Sequence, residues 1–337
     1  MFLSFIVPVY NTEDYLDECL QSLLDQDIPA KDYEIICVND GSTDGSLNVL
    51  LHYEQQYPNV SVIDQTNGGV CKARNTGLLA AKGDYIWYID ADDFIEKNIL
   101  GMLHRELVLH NCDRLVIDHY EYKPGITQNK QTHLPVNTSW KDSVVWRSLF
   151  RRNFLLAHNL LFHYPELSFG EDALYMYEVK RSLPVTVELN EPIYYHRDRP
   201  GSLSSGKNAA DEIRQLNCVI REAQIMKNYY EQGGVFEEET EKRFYSFLRG
   251  ALYSLSLMPR KYTARYWKDL KSCGLYPYKQ PRNRISVKCP GVERNDNLGK
   301  LLDFLYTNLN TRWGYCSMYL LQRLFRLKQL LFSPRKG

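Results

Sequence analysis

The first half of the chain alternates between short apolar runs and longer stretches whose apolar residues recur at helical spacing. Short continuous apolar runs are typical of buried strands. Strands that alternate with helices predict an α/β fold with a mostly parallel, doubly wound sheet. The predicted strands are residues 5–10, 33–38, 60–63, 85–89 and 114–120, and the helices between them end near residues 24, 57, 83 and 109.

The pattern changes after the fifth predicted strand. Residues 123–136 are polar, with two prolines and one glycine, and indicate a loop over a site or an insertion. Helical spacing resumes over residues 139–150. From about Asp211 the pattern is helical, so we expect an α/β domain over residues 1–205 and a helical C-terminal region over residues 206–337.

Bulk composition narrows the class of protein. Lys+Arg and Asp+Glu both number 41, and this balance does not favour nucleic acid as a partner. The 8 cysteines include no Cys-x-x-Cys pair, which indicates reduced thiols in a cytoplasmic protein. No basic region with a small-residue cleavage site precedes the first predicted strand, so we expect no cleavable leader. No apolar run reaches the roughly 18 residues of a membrane span.

Acidic residues follow the fourth predicted strand. Asp90, Asp92 and Asp93 stand together at its carboxyl end, while Tyr10 and Asp40 end two other strands. Ligands of such sheets bind outside the carboxyl ends of the strands, so these segments should meet in one crevice. Crowded carboxylates suit Mg²⁺ or Mn²⁺ shared with a diphosphate. The alternative is a solvated acidic turn that caps the next helix.

Four side chains at this edge, with Tyr10 and Asp40 among them, each allow two interpretations. Asp40 could accept the N3–H of uracil or thymine, or it could bond its own turn. Tyr10 could stack on the base or ribose, or only border the core. Arg74 could bind diphosphate or a pyrimidine carbonyl, or remain solvated. Asn67 could approach the ribose or base, or only form the Asn67-Gly68-Gly69 turn.

Polar residues mark the start of two predicted helices. Asn11 is placed to cap the first helix, with Asp14 three residues later as its partner. Glu171 and Asp172 open a later helix, where acidic residues are favoured by the helix dipole.

Four segments together resemble the successive signatures of family 2 glycosyltransferases with the GT-A fold. They are residues 5–11, 38–44, 69–77 and 88–93, and the resemblance covers about residues 3–205. It implies a nucleotide-sugar donor, usually UDP-linked, a divalent metal (Mn²⁺ or Mg²⁺), and inversion at the anomeric carbon. Residues 1–205 would then be the nucleotide-sugar-binding and catalytic domain.

The resemblance also assigns roles to single residues. It makes Asp172 the general base, Asp40 the base-binding residue, and Asp93 a helper of the Asp-x-Asp pair. His196 would complete the metal shell or be an ordinary surface or core histidine, and Arg199 would pair with phosphate. The metal ligands would be Asp92, Asp90 and His196; the donor-binding residues would be Pro8, Tyr10, Asp40, Asn67, Arg74, Asp90, Glu171 and Arg199.

The expected activity is transfer of a sugar from a nucleotide-sugar to a glycan or lipid-linked acceptor in polysaccharide biosynthesis. A sugar nucleotidyltransferase is one rival, but it would need a Gly-rich basic phosphate loop where residues 8–11 stand. A GT-A module that binds nucleotide-sugar without turnover is the other, and the presence of Asp90, Asp92 and Asp172 argues against it.

The C-terminal segment over residues 315–332 is basic and apolar. Residues 304–337 contain six basic residues and no acidic one, and the apolar residues would cover a wide helical face. Such a face must be buried, either in a packing or homodimer contact or at the inner face of the cytoplasmic membrane.

Overall fold

The computed structural model describes residues 1–122, 143–198 and 209–232, together with residue 266, residues 268–275 and residue 320. The chain divides into two compact units, Met1–Ser205 and Gly206–Gly337. The strands are β1 Leu3–Val9, β2 Tyr33–Asp40, β3 Val60–Gln65, β4 Tyr85–Tyr88, β5 Phe94–Ile95, β6 Arg114–Tyr122, β7 Ser148–Arg151 and β8 Thr186–Arg197. The helices are α1 Glu13–Leu24, α2 Ser46–Gln56, α3 Val70–Ala80, α4 Leu100–His110, α5 Arg152–Ala157, α6 Glu171–Arg181 and α7 Ala209–Gln232.

The eight strands form one sheet in the order β3-β2-β1-β4-β7-β6-β8-β5. The pairs β1–β2, β1–β4, β2–β3 and β6–β8 are parallel, whereas β4–β7, β6–β7 and β5–β8 are antiparallel. The predicted α/β class with a mostly parallel sheet is therefore confirmed.

The alternation of side chains along the central strands produces two cores. Phe5 and Trp87 face one side of the sheet and pack with Leu20 of α1 and Leu103 of α4. Ile6 and its same-face neighbours on β2 and β4 point to the other side, where residues of α3 and α6 cover them. Because successive residues of a strand point to opposite faces, a strand buried on both sides needs the continuous apolar runs seen in the sequence.

The helix predicted over residues 139–150 is wrong in its described part. Residues 148–151 form β7, which lies between β4 and β6 and pairs with both. The Trp87 indole N–H donates to the Trp146 carbonyl at 2.7 Å, which ties the preceding segment to the sheet. These non-local contacts override a spacing that fits a helix. The predicted loop at 123–136 lies outside the described residues.

The start of α1 also differs from the sequence expectation. Its N-cap is Thr12 rather than Asn11, and the Thr12 side chain makes no capping bond. Two backbone N–H groups at this end are instead capped from the segment that leads into α2: Thr12 donates to Ser46 Oγ at 3.0 Å and Glu13 to Asp44 Oδ2 at 3.2 Å. The loops after β1 and β2 are therefore joined side by side.

Pro8 occupies a position in β1 that tolerates the loss of a backbone donor. The register between β1 and β4 ends at Ile6, opposite Tyr88, while pairing with β2 continues to Val9. Pro8 is therefore beyond the β4 pairing, as expected for a proline near a strand end. None of the helices among the described residues is both long and apolar enough to span a membrane.

We predict that Gly83→Ala destabilises the fold. A Cβ at this position would lie 2.5 Å from the Ser4 backbone N and 2.6 Å from the Leu3 carbonyl carbon, in a strand that is paired on both sides. Overpacking of this kind costs about 1–3 kcal/mol. Thermal unfolding of the purified variant should show a lower midpoint, while the exposed neighbour change Lys82→Ala should leave it nearly unchanged. Equal midpoints for both variants would contradict the prediction.

Candidate active site

The carboxyl ends of β2, β1 and β4 lie next to one another and place three predicted site segments on one edge of the sheet. Tyr10 follows β1 and is 51% exposed, so its ring is available for contact. Asp40 is the last residue of β2, and Asp90 follows β4. Asn67 is exposed on the turn that leads into α3.

One buried guanidinium connects the acidic groups at this edge. Arg74 of α3, whose side chain is 4% exposed, donates from Nη2 to Asp90 Oδ1 at 3.1 Å. Its Nη1 donates to Glu171 Oε1 at 3.1 Å and to Asp172 Oδ1 at 2.5 Å. The guanidinium also lies over the Phe162 ring, 5.1 Å from the centroid. Arg74 therefore holds the acidic turn after β4 and the start of α6 together.

Glycines at the starts of α3 and α6 set up this arrangement. Gly69 precedes α3 with φ 85°, and Gly170 precedes α6 with φ 80°. Residues with a Cβ rarely adopt positive φ, so glycine lets each chain turn sharply into its helix. The helices then direct Arg74 and Asp172 toward each other.

Asp172 lies in surroundings that suit a proton acceptor. Burial raises the pKa of its carboxyl to about 6, with Arg74 lowering it and the neighbouring Glu171 charge raising it. Its Oδ2 accepts a hydrogen bond from the Val145 backbone N–H at 3.1 Å. The carboxylate is therefore ionised at neutral pH, yet its pKa is close enough to neutrality for proton transfer.

The pKa of Asp90 is set by the same opposing effects of burial and nearby charges. Burial raises the pKa of Asp90, the Arg74 charge lowers it, and the charges of Asp172 and Asp92 raise it, so that the pKa lies above its ordinary value. The side chain of Asp90 remains 30% exposed.

Asp40 is engaged with the turn that precedes α3. It is 3% exposed, and its Oδ1 accepts hydrogen bonds from Gln65 Nε2 at 2.7 Å and the Gly68 N–H at 2.8 Å. Its Oδ2 accepts from the Gly69 N–H at 2.8 Å. The carboxylate thus fixes a neighbouring turn. A carboxylate offers about four acceptor positions, and these bonds occupy three of them.

Asp93 is an internal anchor of the acidic turn. It is 2% exposed, and its carboxylate accepts hydrogen bonds from the Tyr194 hydroxyl at 2.6 Å and the Arg197 backbone N–H at 2.8 Å. Burial and the charges of Asp92 and Asp90 raise the pKa of Asp93 well above its ordinary range. The sequence analysis gave no role to Tyr194 or Arg197, although both lie close to His196 along the chain.

His196 is held by an acidic partner and an aromatic ring. Its Nδ1 lies 3.1 Å from Glu121 Oε2, and the imidazole stacks on Trp146 with centroids 5.3 Å apart. Burial lowers the pKa of His196, but its hydrogen bond to Glu121 and the nearby charges of Asp93, Glu121 and Asp90 raise it to about 9. A protonated imidazole cannot ligate a metal until it loses that proton.

The predicted metal ligands are not assembled as a set of three. Among the residues that the structure describes, no group of three or more His, Cys, Asp or Glu side chains is arranged to hold a metal ion. Asp90 and Asp92 are partly exposed carboxylates, a donor type that suits a hard cation which also takes ligand oxygens from a diphosphate. Arg199, predicted to pair with phosphate, lies outside the described residues.

The chain is similar in sequence to known proteins. The family model described as glycosyl transferase family 2 matches residues 4–174. EpsJ of Bacillus subtilis, described as an uncharacterized glycosyltransferase, is 32% identical over 258 residues, which are 70% of this chain and 73% of EpsJ. Poly(ribitol-phosphate) β-N-acetylglucosaminyltransferase TarS of Staphylococcus aureus is 29% identical over 270 residues, which are 76% of this chain and 46% of TarS.

Solved structures share the architecture. The crystal structure of S. aureus TarS residues 1–349 with UDP-GlcNAc has a TM-score of 0.64 at 24% identity and covers 81% of this chain and 80% of that chain. The mannosyltransferase PcManGT of Pyrobaculum calidifontis, solved with GDP-Man and Mn²⁺, has a TM-score of 0.51 at 15% identity over 81% of this chain and 80% of that chain.

The sheet order and its acidic edge therefore define a protein of the GT-A fold, as the sequence predicted. The chain belongs to glycosyl transferase family 2 and is a glycosyltransferase. This membership removes the nucleotidyltransferase alternative.

We predict that Arg74→Met strongly destabilises the protein. The change leaves Asp90, Glu171 and Asp172 crowded without their buried cation. Removal of one partner from a buried ion pair costs about 3–5 kcal/mol, so the thermal midpoint should fall by several degrees or more. Lys97→Met, which removes the cation of an exposed pair with Asp25, is the matched control and should change the midpoint little.

The pH dependence separates charge repulsion from lost packing. Burial raises the pKa values of Asp90 and Asp172, and the Arg74 charge opposes this rise, so removal of Arg74 should raise both pKa values further. Protonation then favours the folded variant, so its deficit relative to wild type should shrink as the pH falls through those raised values. A deficit that stays constant between pH of about 8 and about 5 would show that the charge is unimportant.

Proposed function

We propose that the protein transfers a sugar, with inversion, from a UDP-linked donor to a hydroxyl group of a glycan or lipid-linked acceptor. The observation that carries this proposal is the pairing of Asp90 and Asp172 through Arg74. It brings the acidic turn at the sheet edge and a carboxylate of raised pKa into one site. Those are the two groups that a displacement at an anomeric carbon needs.

In the proposed reaction Asp172 is the general base. The acceptor hydroxyl oxygen attacks the anomeric carbon while its proton moves to the Asp172 carboxylate. The bond between that carbon and the diphosphate oxygen breaks, and its electron pair leaves with the nucleoside diphosphate. Attack from the side opposite the leaving group inverts the configuration. The pKa of about 6 keeps Asp172 ready to accept a proton at neutral pH.

The negative charge on the departing diphosphate needs compensation. Asp90 and Asp92 would hold Mg²⁺ or Mn²⁺ together with diphosphate oxygens, and the cation would act there as a Lewis acid. The solved mannosyltransferase PcManGT, which carries Mn²⁺, supports a divalent ion in this fold. His196, protonated and held by Glu121, would add positive charge beside that ion unless it becomes a ligand.

The donor and acceptor are proposed from the relatives. TarS is named for transfer of N-acetylglucosamine to poly(ribitol-phosphate), and its structure holds UDP-GlcNAc. UDP-GlcNAc is therefore the first donor to test, with polyol-phosphate polymers and lipid-linked glycans as acceptors in polysaccharide biosynthesis. The remaining acceptor position of Asp40 would take the uracil N3–H, with Tyr10 stacked on the base and Pro8 and Asn67 beside the nucleoside.

The remaining predictions concern residues 206–337. We propose that this region shapes the acceptor pocket, pairs two copies or contacts the cytoplasmic face of a membrane. The segment at 315–332, on which the membrane proposal depends, lies outside the described residues apart from Leu320.

We predict that Asp172→Asn abolishes most turnover and preserves donor binding. The amide keeps the shape of the side chain but cannot take the acceptor proton, so turnover should fall by about 10²–10⁴-fold. UDP release from UDP-GlcNAc in the presence of acceptor measures turnover, and calorimetry with UDP and Mn²⁺ measures binding. Weak binding with high residual turnover would mean that Asp172 binds the donor. Binding without turnover in the wild type would instead favour a non-catalytic nucleotide-sugar module.

The same assay predicts a pH profile. Because the base must be ionised, kcat/KM should rise with pH through about 6, the pKa of Asp172 in the free protein. This limb should be missing from the residual activity of Asp172→Asn. If the limb persists unchanged in the variant, another group titrates there.

We also predict that donor binding depends on a divalent cation. Asp92→Asn should weaken the binding of UDP in the presence of Mn²⁺ and abolish most transfer, because an amide is a poorer ligand for a hard cation. Asp64→Asn, a change at an exposed position of β3, is the control. Full activity of the Asp92 variant, or of the wild type in excess EDTA, would refute the metal assignment.

A further inference from the structure

The acidic turn at residues 90–93 is held by a second arginine, distinct from Arg74. Arg197, the last residue of β8, is 7% exposed. Its Nε donates to the Asp92 carbonyl at 2.6 Å, and its backbone N–H donates to Asp93 Oδ1 at 2.8 Å. The side chain and the backbone of Arg197 therefore bond two successive residues of the turn.

The guanidinium is itself fixed from two directions. Its Nη2 donates to Glu18 Oε2 on α1 at 2.6 Å. The rings of Tyr15, Phe94 and Tyr122 surround it, with centroids 5.3, 5.2 and 5.0 Å from the guanidinium carbon. Arginine suits such a place because its planar fork bonds and stacks at the same time. Helix α1, strand β6 and the acidic turn thus meet on one side chain.

Tyr194 also bonds the acidic turn. Its hydroxyl donates to Asp93 Oδ2 at 2.6 Å and accepts from the Asp90 N–H at 3.3 Å. The backbone of the turn is therefore bonded to β8 at Asp90, through the side chain of Asp93, and at the Asp92 carbonyl.

We propose that Arg197 is a positioning residue, which keeps the acidic turn in the conformation in which Asp92 meets the donor diphosphate and its cation. Arg197 acts through Asp92 and Asp93, by way of the Asp92 carbonyl and the Asp93 carboxylate. When these bonds are weakened, only a fraction of the molecules has the turn in this conformation. The apparent affinity for the donor falls by that fraction. This inference rests on the proposed function for the role of Asp92 in binding the donor diphosphate and its cation.

Two variants weaken the bonds of the Arg197 side chain and should leave the protein folded. Arg197→Lys keeps the charge but cannot reach the Asp92 carbonyl and Glu18 with one planar fork. Glu18→Gln changes a residue whose side chain is 52% exposed and removes only the charged partner. Arg151→Lys is the matched control: Arg151 bonds Asp113 and the Cys112 carbonyl and lies over the Tyr85 ring, at the opposite edge of the sheet.

The first readout is amide hydrogen exchange of the full chain without ligands. The Asp93 N–H is bonded to the Asp90 carbonyl at 3.0 Å and the Ile95 N–H to Ser22 Oγ at 3.2 Å. Arg197→Lys should speed exchange of both amides by about tenfold or more, the equilibrium worth of one charge-assisted hydrogen bond. Glu18→Gln should act in the same direction, and Arg151→Lys should leave these amides at the wild-type rate.

The second readout is binding and kinetics. Arg197→Lys should raise the Mn²⁺ concentration for half-saturation and the donor KM by about tenfold, while kcat at saturation stays within about threefold, because ligand selects the held turn. Unchanged exchange, or equal changes in Arg151→Lys, would overturn the proposal. So would a fall in kcat at unchanged KM, which would place Arg197 in the chemistry. If the wild type binds UDP and Mn²⁺ but does not transfer sugar, the proposed function is contradicted. Amide exchange and Mn²⁺ half-saturation would still test the role of Arg197.

Discussion

The candidate site depends on one buried cation that is shared by three carboxylates. If all three are ionised, Arg74 neutralises one of them, and a net charge of about two negative units remains at the edge of the sheet. The raised pKa values of Asp90 and Asp172 are the direct result of that excess combined with burial. A diphosphate would meet repulsion at such an edge, and this favours its arrival together with a divalent cation.

The site is built from short segments whose positions are fixed by backbone groups. Asp40 bonds the N–H groups of Gly68 and Gly69 ahead of α3, and α3 carries Arg74. Arg197 and Tyr194 bond the turn that carries Asp90 and Asp92 from the other side. The turn that carries Asp90 and Asp92 is thus held at the Asp90 N–H and at the Asp92 carbonyl. Such support is what a preorganised site requires.

The sequence predicts the fold and the edge of the sheet well, because both depend on local patterns. The spacing of apolar residues identifies β1 to β4 and the helices between them, and acidic residues at strand ends mark the edge. Strand β7 is missed because its partners are distant along the chain. Arg197 is missed for the same reason: its partners Glu18, Asp92 and Asp93 are about one hundred residues or more away. Burial of an arginine leaves no periodic signal.

The joined loops after β1 and β2 have a consequence for how the chain folds. The first turn of α1 takes its capping oxygens from Asp44 and Ser46, more than thirty residues later. Glu13 in return accepts the Gly45 N–H at 2.7 Å. Helix α1 is therefore completed only once β2 has docked beside β1 and brought its loop into place. Because non-local closure of this kind slows folding, the amino-terminal helix becomes stable as part of a β1–α1–β2 unit rather than by itself.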